Sequence, residues 1–545
     1  MAKHSVILLA IMVLVDAPVG AHADEPPNRE SVGQPANSRE YAPKEIVLDD
    51  GANVCPGSWW RWDKMRDVLA EERHLAASPD GSRLVYIRKR DEDTLVYDSG
   101  RQIAGTWGAV ERVHVSEDGR HVAVVGWPRD NQRKVVQHTS DSLLGAPESS
   151  KLVGMDLDKT LWYDGRALRL QGEAVDSYAT SSDLRHVALI ESRMQSRTEG
   201  AGRSGRWIKV RIISWHEYRL VLNGRPMGWA KEEIAPESVR ISPDGRRAIY
   251  KQGGVSHING EKLPVGANCE ETHFSADGRR LAMKLTGAVF EGGAYRDWAR
   301  YWVDGELEPV YERPQDFLFS PDGRHYAYVA YVQGAGAPEC RIIVDGKELD
   351  GRWSAATLGF TSTGRLWYVA REPGDSSDAL ILDGSKLAEG RPIERVIPSA
   401  DGEHLVCVAR NRDSLIELTL DGKGIDGFPK TRDLQAVVLS ADGKRIAWAI
   451  GHHPTELFLD GKQHLQSGRL YAMRFSDDGN TFAAIVQPRE KDGCAVFVDG
   501  KELGYYDVAI PGPDAPRIYP NGRVEFLAIK EGKLVRVIAD PKSSS

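Results

Sequence analysis

Residues Asp316–Leu349 read DFLFSPDGRHYAYVAYVQGAGAPECRIIVDGKEL, and nearly all of the chain is assembled from variants of this unit. Apolar and polar residues alternate over Phe317–Phe319, His325–Tyr331 and Arg341–Val344, the period of a half-buried strand. Between the first two runs lies Ser320-Pro321-Asp322-Gly323. Proline presets the first turn dihedral, aspartate accepts bonds from nearby amides, and glycine takes the positive φ that side chains resist. A second turn, Asp345-Gly346, ends the third run and leads into a short edge strand.

The first turn returns as Ser78-Pro79-Asp80-Gly81, Ser116-Glu117-Asp118-Gly119, Ser242-Pro243-Asp244-Gly245 and Ser275-Ala276-Asp277-Gly278, and again as Ser399-Ala400-Asp401-Gly402, Ser440-Ala441-Asp442-Gly443 and Ser476-Asp477-Asp478-Gly479. Weaker copies are Ser181-Ser182-Asp183-Leu184, Thr361-Ser362-Thr363-Gly364 and Tyr519-Pro520-Asn521-Gly522. From one glycine position to the next, with Leu184 standing in once, the intervals are 38, 65, 61, 33, 45, 41, 38, 41, 36 and 43. The second turn keeps step, from Asn223-Gly224 and Asn259-Gly260 to Asp460-Gly461 and Asp499-Gly500. A period near 40 with four short strands per unit is the pattern of β-propeller blades. Four residues beyond the first turn, Ala123, Ala188, Ala282, Ala327, Ala447 and Ala483 fall mid-strand, where small side chains let neighbouring sheets pack face to face.

The fold class is therefore all-β, with about ten to twelve blades of four antiparallel strands. Single propellers usually hold roughly four to eight blades, so two propellers in tandem are favoured, with one large ring as the alternative. The greater regularity from Gly278 onward puts the division at 45–266 and 267–540. Two units are overlong. Val153–Tyr163 resembles Leu358–Tyr368 and suggests a compressed extra blade, whereas Ser192–Arg206 reads as a hairpin protruding from its blade. Glu45–Gly51 looks like the back half of a unit, and Arg517–Asp540 like a front half. Two half-blades at opposite ends suggest that the N-terminal strand completes the last sheet and removes an exposed edge.

The chain has 545 residues and a net charge of −8, with no dominating basic stripe, which argues against a nucleic-acid partner. Lys3 and His4, the apolar run Val6–Val15 and the small residues of Ala21-His22-Ala23 make residues 1–23 a secretory signal peptide. That run is too short to span a bilayer, and no later segment is long enough for a membrane span. Export, to the periplasm or outside the cell, follows. Residues 24–44 read as a flexible leader, Trp59–Glu72 as a short helix, and 541–545 as a disordered tail. Of the five cysteines Cys55, Cys269, Cys340, Cys407 and Cys494, Cys407 lies in an apolar strand and reads as a buried free thiol. Without a CxxC, no structural zinc is expected.

The S-P-D-G-x-x-h-A-h core followed by a VDGK turn resembles the bacterial TolB-type, WD40-like propeller repeat, over roughly Glu45 to Asp540. The resemblance implies a propeller and leaves activity open. TolB itself binds other envelope proteins, and related propellers gate prolyl-oligopeptidase-type hydrolases. The chain departs from both patterns: about 45 residues precede the first blade, and no G-x-S-x-G elbow is present.

Each candidate for chemistry has a plainer explanation. Asp-Gly pairs suit a calcium loop, yet every blade needs a turn there. Asp477-Asp478-Gly479 lacks the residue a sialidase Asp-box places between aspartate and glycine, and Asp156-Leu157-Asp158 lacks the remainder of an EF-hand loop. His121, His186, His325 and His404 share one repeat position; a metal cluster is one reading and a polar strand start the other. His452-His453 points its two rings apart if extended. Among 14 tryptophans, Trp302, Trp367 and Trp448 sit in strands and read as blade packing. The surface candidates for partner binding are Trp207 beside Arg203 and Arg206, and the cluster Trp59, Trp60 and Trp62, because aromatic and arginine side chains dominate interface hot spots. No catalytic residue, metal ligand or cofactor emerges. The expected function is a non-catalytic scaffold of the cell envelope that binds a protein partner; the alternative is a lactonase-like or glycan-active hydrolase with its site in the central channel.

Overall fold

A computed structural model describes residues 41–49, 75–129, 160–168 and 174–541, with short breaks inside these spans. Among the described residues the strands form ten antiparallel sheets, nearly all four-stranded. One is eight-stranded, because two blade units, 75–102 and 107–168, are joined by the single bridge Thr94↔Trp107. Counted as blades, the nine other sheets and these two make eleven. In chain order they are blade 1 (75–102), blade 2 (107–168), blade 3 (174–226), blade 4 (240–262), blade 5 (268–307), blade 6 (313–348), blade 7 (355–390), blade 8 (393–424), blade 9 (434–467), blade 10 (469–506) and blade 11 (508–541 with 41–49).

The sheets stand in one closed ring. An apolar cluster fills each gap between neighbours, from Ala76, Val85 and Val113 between blades 1 and 2 to Ala483, Val496 and Val537 between blades 10 and 11. Closure comes from Leu75, Leu84 and Tyr86 of blade 1 packing on Ile510, Leu527 and Ile529 of blade 11. The first strands of successive blades approach one another, so they form the inner wall around the axis. The alanines singled out by the repeat are almost fully buried, with 1% exposure at Ala123 and 0% at the other five.

Several expectations change. One ring replaces the two tandem propellers, because Ile249 and Leu263 pack on Cys269 and Leu281 across the supposed boundary at 266/267 as closely as elsewhere. A propeller's blade number follows from the wedge angle between sheets, which small interface side chains set without altering the repeat. Thr160–Tyr163 is the third strand of blade 2, paired with Val122–Pro128, and so belongs to no extra blade. Tyr41–Lys44, assigned above to the leader, open the strand Tyr41–Asp49, and Pro541 closes the last strand. The hairpin reading of Ser192–Arg206 holds: Val187–Ser204 pairs with Trp207–Leu222 over their whole length. Residues 1–40, the proposed helix Trp59–Glu72, Cys55 and His452-His453 lie outside the described residues. Cys269, Cys340, Cys407 and Cys494 are buried free thiols.

Ring closure by the N-terminal strand is as the half-blades suggest. Tyr41–Asp49 runs antiparallel to Lys533–Pro541, with Glu45 opposite Val537, and the Glu45 carboxylate meets Lys530 Nζ at 2.7 Å. Deleting residues 41–49 strips the outer strand from blade 11 and bares the edge at 533–541. The expected outcome is a fall in melting temperature of about 5 °C or more, with self-association on size-exclusion chromatography; an unchanged melting curve would show that closure contributes little. Ser320→Ala removes one donor to Asp322 and the acceptor of the His325 amide, and should cost about 1–2 kcal/mol by denaturant titration.

Candidate functional site

The turn ends of the blades are built by one repeated set of bonds. In blade 6, Ser320 Oγ donates to Asp322 Oδ1 at 2.6 Å, and the Arg324 amide donates to the same oxygen at 3.0 Å. The His325 amide donates to Ser320 Oγ at 2.9 Å. From the second turn, Asp345 Oδ1 accepts the Tyr326 amide at 3.0 Å while Oδ2 takes His325 Nδ1 at 2.7 Å. His404 and Asp421 make the same pair at 2.7 Å, and arginine replaces histidine in Arg280–Asp304 and Arg445–Asp460. His325 and His404 are thus strand-start residues with a structural partner. His121 faces Arg185 Nε at 3.4 Å, and the His186 ring lies against Gly245 of the next blade. Among the described residues, no three His, Cys, Asp or Glu side chains converge as a metal site. The second-turn Asp-Gly pairs are turn chemistry: Asp304, Asp345, Asp383 and Asp421 sit at φ of 47–50°, the left-handed region that aspartate and asparagine tolerate.

At the opposite end of the blades, the hairpin of blade 3 projects from the ring. Its register pairs Ser204 with Trp207 and Arg203 with Ile208, so Arg203 and Trp207 both sit at the tip. Arg206 lies outside the described residues, as do Trp59, Trp60 and Trp62; the structure does not bring the two proposed clusters together. Residues missed by the sequence reading brace the hairpin's base. Arg193 stands opposite Glu217 and pairs with it at 2.6 Å, and Arg219 stands opposite the buried Glu191, also at 2.6 Å. Both guanidinium groups stack on Trp229, 4.1 and 4.4 Å from its ring centre. Trp215 Nε1 donates to Glu217 Oε1 at 3.2 Å, and Lys231 Nζ lies 4.9 Å over the Trp215 ring. Hydrogen bonds from Arg193, then from Trp215, hold the Glu217 carboxyl below its ordinary range. The signal was present in Trp215-His216-Glu217-Tyr218-Arg219, whose alternate residues share one strand face.

A second departure lies on the second strands, next to the inner wall. Six residues after the first-turn glycine, the repeat places a buried apolar side chain: Val125, Val329, Val408, Ala449 and Ile485. Blades 4 and 5 carry Lys251 and Lys284 there. Lys251 Nζ donates to Asn268 Oδ1 at 2.7 Å. Lys284 Nζ lies 3.1 Å from Glu271 Oε1 and 3.6 Å from Glu270 Oε2, both carboxylates being on the first strand of blade 5, where a register shift leaves Glu270 unpaired. His273 Nε2 sits 3.4 Å from Glu271 Oε2. Across the blade gap, Asp316 occupies a second register shift at φ 57°. Burial raises the Asp316 pKa, whereas the bond from His273, against the effect of burial, holds Glu271 low with help from Lys284.

No protein-family model matches the chain. The protein NirF of Pseudomonas aeruginosa is 26% identical over 185 residues, which cover 30% of this chain and 44% of NirF, so the chain spans less than half of that relative. Among solved structures, acylaminoacyl peptidase of Pyrococcus horikoshii aligns at TM-score 0.25 and 13% identity over 56% of this chain and 57% of that one. The Dos1 propeller aligns at 0.27 and 10% over 56% and 92%, and an oligogalacturonate lyase in complex with manganese at 0.25 and 11% over 52% and 95%. Likenesses of this size carry no argument about activity.

The turn pairs make one pH-dependent contribution to stability. The bond to Asp421 raises the His404 pKa above 6.5, with Asp401 and Asp442 pushing the same way. A raised folded-state value stabilises fully below the unfolded value and is lost as pH climbs through the folded one. The stability difference between the wild type and His404→Gln should therefore be greatest below pH about 6 and shrink above neutrality. At this half-exposed site it should stay under about 1 kcal/mol, as read by urea titration across pH; a difference that grows with pH would contradict the pairing.

Proposed function

We propose that the chain is an exported, non-catalytic scaffold that holds a protein partner in the cell envelope, built from TolB-type, WD40-like repeats behind the signal peptide of residues 1–23. The observation that supports this most is the blade 3 hairpin. A pair of strands as long as Val187–Ser204 and Trp207–Leu222 does nothing for ring closure, yet ion pairs and stacked arginines stiffen its base. Rigid projection limits the ordering cost of association, and an aromatic residue beside arginine at the tip suits an interface anchor. Trp207, Arg203 and Arg206 are the proposed contacts, with Trp59, Trp60 and Trp62 as a second patch. The ring presents this element at the end away from the structural turns.

A second reading, a hydrolase acting on a lactone or glycan in the channel, draws on the inner-wall carboxylates, where Asp316 is pushed up and Glu271 held down, the split that acid–base chemistry uses. Turnover of a lactone or aryl glycoside that disappears in Glu271→Gln would displace the scaffold reading.

Replacing residues 198–212 by Asn-Gly shortens the hairpin and keeps its braced base, since Thr198 pairs with Ile212. In pull-downs from envelope extract, a partner captured by the wild type should be lost, with the melting temperature unchanged. Trp207→Ala should weaken capture about tenfold, the scale of a hot-spot truncation. Equal capture by both variants would remove the hairpin from the proposal.

A further inference from the structure

We propose that the blade 3 hairpin docks a second copy of this chain, each hairpin entering tip-first the gap beside its partner's hairpin. The inference rests on the reading of the hairpin as a binding element and names what it binds. Blade 4 makes the gap. Its second strand, Ala248–Gln252, has 5 residues and turns back at Gly253-Gly254, whereas the second strands on either side have 18 in blade 3 and 11 in blade 5. Packed sheets stand about 10 Å apart, so about 20 Å separates blades 3 and 5 with blade 4 between them. Above the Gly253-Gly254 turn the middle sheet is absent, and the space has the thickness of about one sheet. The far wall is blade 5, whose Leu285 packs with Ile249 of blade 4 and whose Val289, on the same face, is 42% exposed.

Register sets which face of the hairpin looks into this gap. Ala188 and Ile190 pack on Ile234 and Tyr250, towards blade 4. Continuing by twos along the strand, Met194, Ser196 and Thr198 share that face, opposite His216, Ser214 and Ile212. Met194 is 57% exposed, and Ser196, Ser214 and His216 are exposed as well. No lysine, arginine or acid stands in these three rows, whereas the other face takes Arg193, Arg197, Glu199, Arg211 and Glu217. A strand face emptied of charge beside a charged one is the pattern of the side that becomes covered. Large rows flank the small Ser196–Ser214 row, so an antiparallel copy of the same face can interdigitate with it. Charge then selects the occupant. Arg203, opposite Ile208, takes a backbone position on this face at the tip. On the floor, Glu232 and Glu233 are exposed and make no ion pair among the described residues, and the Glu233 carbonyl accepts the Gly253 amide at 3.1 Å. An antiparallel second hairpin brings its tip arginine to these acids, and two-fold symmetry forms the reverse pair too. Residues 194–212 hold five basic residues, Arg197, Arg203, Arg206, Lys209 and Arg211, against Glu199 alone, on a chain of net charge −8. The rest of the chain therefore attracts the hairpin of another copy.

The test is sedimentation velocity of the full chain at concentrations from about 1 µM to about 100 µM. A reversible monomer–dimer equilibrium should appear. Met194→Arg, at an exposed position, should weaken it by about tenfold or more with the melting temperature unchanged, and Ser214→Arg serves if that variant is unstable. Arg203→Glu should weaken it as well, and adding Glu232→Arg and Glu233→Arg should restore it. Phe290→Ser, on the face of blade 5 turned towards blade 6, should change nothing. A chain that stays monomeric throughout, a dimer untouched by Met194→Arg, or no rescue by the charge reversal would overturn the proposal. Capture of a different envelope protein by the hairpin of a monomeric chain would overturn this inference alone, whereas a monomer that captures nothing would remove the scaffold reading as well.

Discussion

In blades 3 to 6 and 8 to 10 the carboxylate or carboxamide of the second turn holds the blade in register. Its Oδ1 accepts the amide of the first residue of the second strand, as Asp304 does for Leu281 at 2.8 Å and Asp421 for Leu405 at 2.9 Å. In Asp304, Asp345, Asp421 and Asp460 the Oδ2 takes the arginine or histidine one residue earlier, whereas Asn223 and Asn259 donate Nδ2 to a backbone carbonyl. The second and third strands are thereby tied at one end by a single side chain, and a one-residue slip would break these bonds as well as turn the core outward. Arginine extends the tie to the next blade: Arg280 donates to the Arg324 carbonyl at 2.9 Å, and Arg445 to the Asn480 carbonyl at 2.9 Å. Each such bond contributes only about 1 kcal/mol net, but repeated around the ring they bias every sheet towards the same tilt.

Tilt then decides the number of blades. Apolar clusters between sheets are continuous from blade to blade and across the seam from blade 11 to blade 1. A nearly fully buried alanine stands on the second strand in six blades, and the ring holds more blades than a typical propeller. The strand Tyr41–Asp49 finishes the last sheet with backbone bonds to Lys533–Pro541, so the seam is a mixed blade made from both ends of the chain.

The repeat is broken in two places. Structural demand explains the serines, the turn acids, the strand-start histidines and the interface alanines; it does not explain a braced projecting hairpin or the lysines at an apolar repeat position in blades 4 and 5. The two departures lie in neighbouring parts of the ring, in blade 3 and in blades 4 to 6, and they differ in chemistry. One is a hairpin with Arg203 and Trp207 at backbone positions near its tip, and the other is a group of lysines and acids that pair with one another.

Local chemistry was legible from residue types alone. Ser-x-Asp-Gly and Asp-Gly announce turns because proline, aspartate and glycine act over two or three bonds, and the alternation between them announces strands. The blade type, the hairpin at Ser192–Arg206, the seam between the half-units and the free thiol at Cys407 all follow from such short-range rules. Tertiary structure alone decided that there is one ring, that Thr160–Tyr163 joins blade 2, and that Arg193, Glu217 and Trp229 meet. The same holds for Asp316 facing Glu271 and Lys284. Those outcomes depend on the angle between sheets and on which strand lines the axis, quantities summed over hundreds of residues, so no local window of sequence contains them.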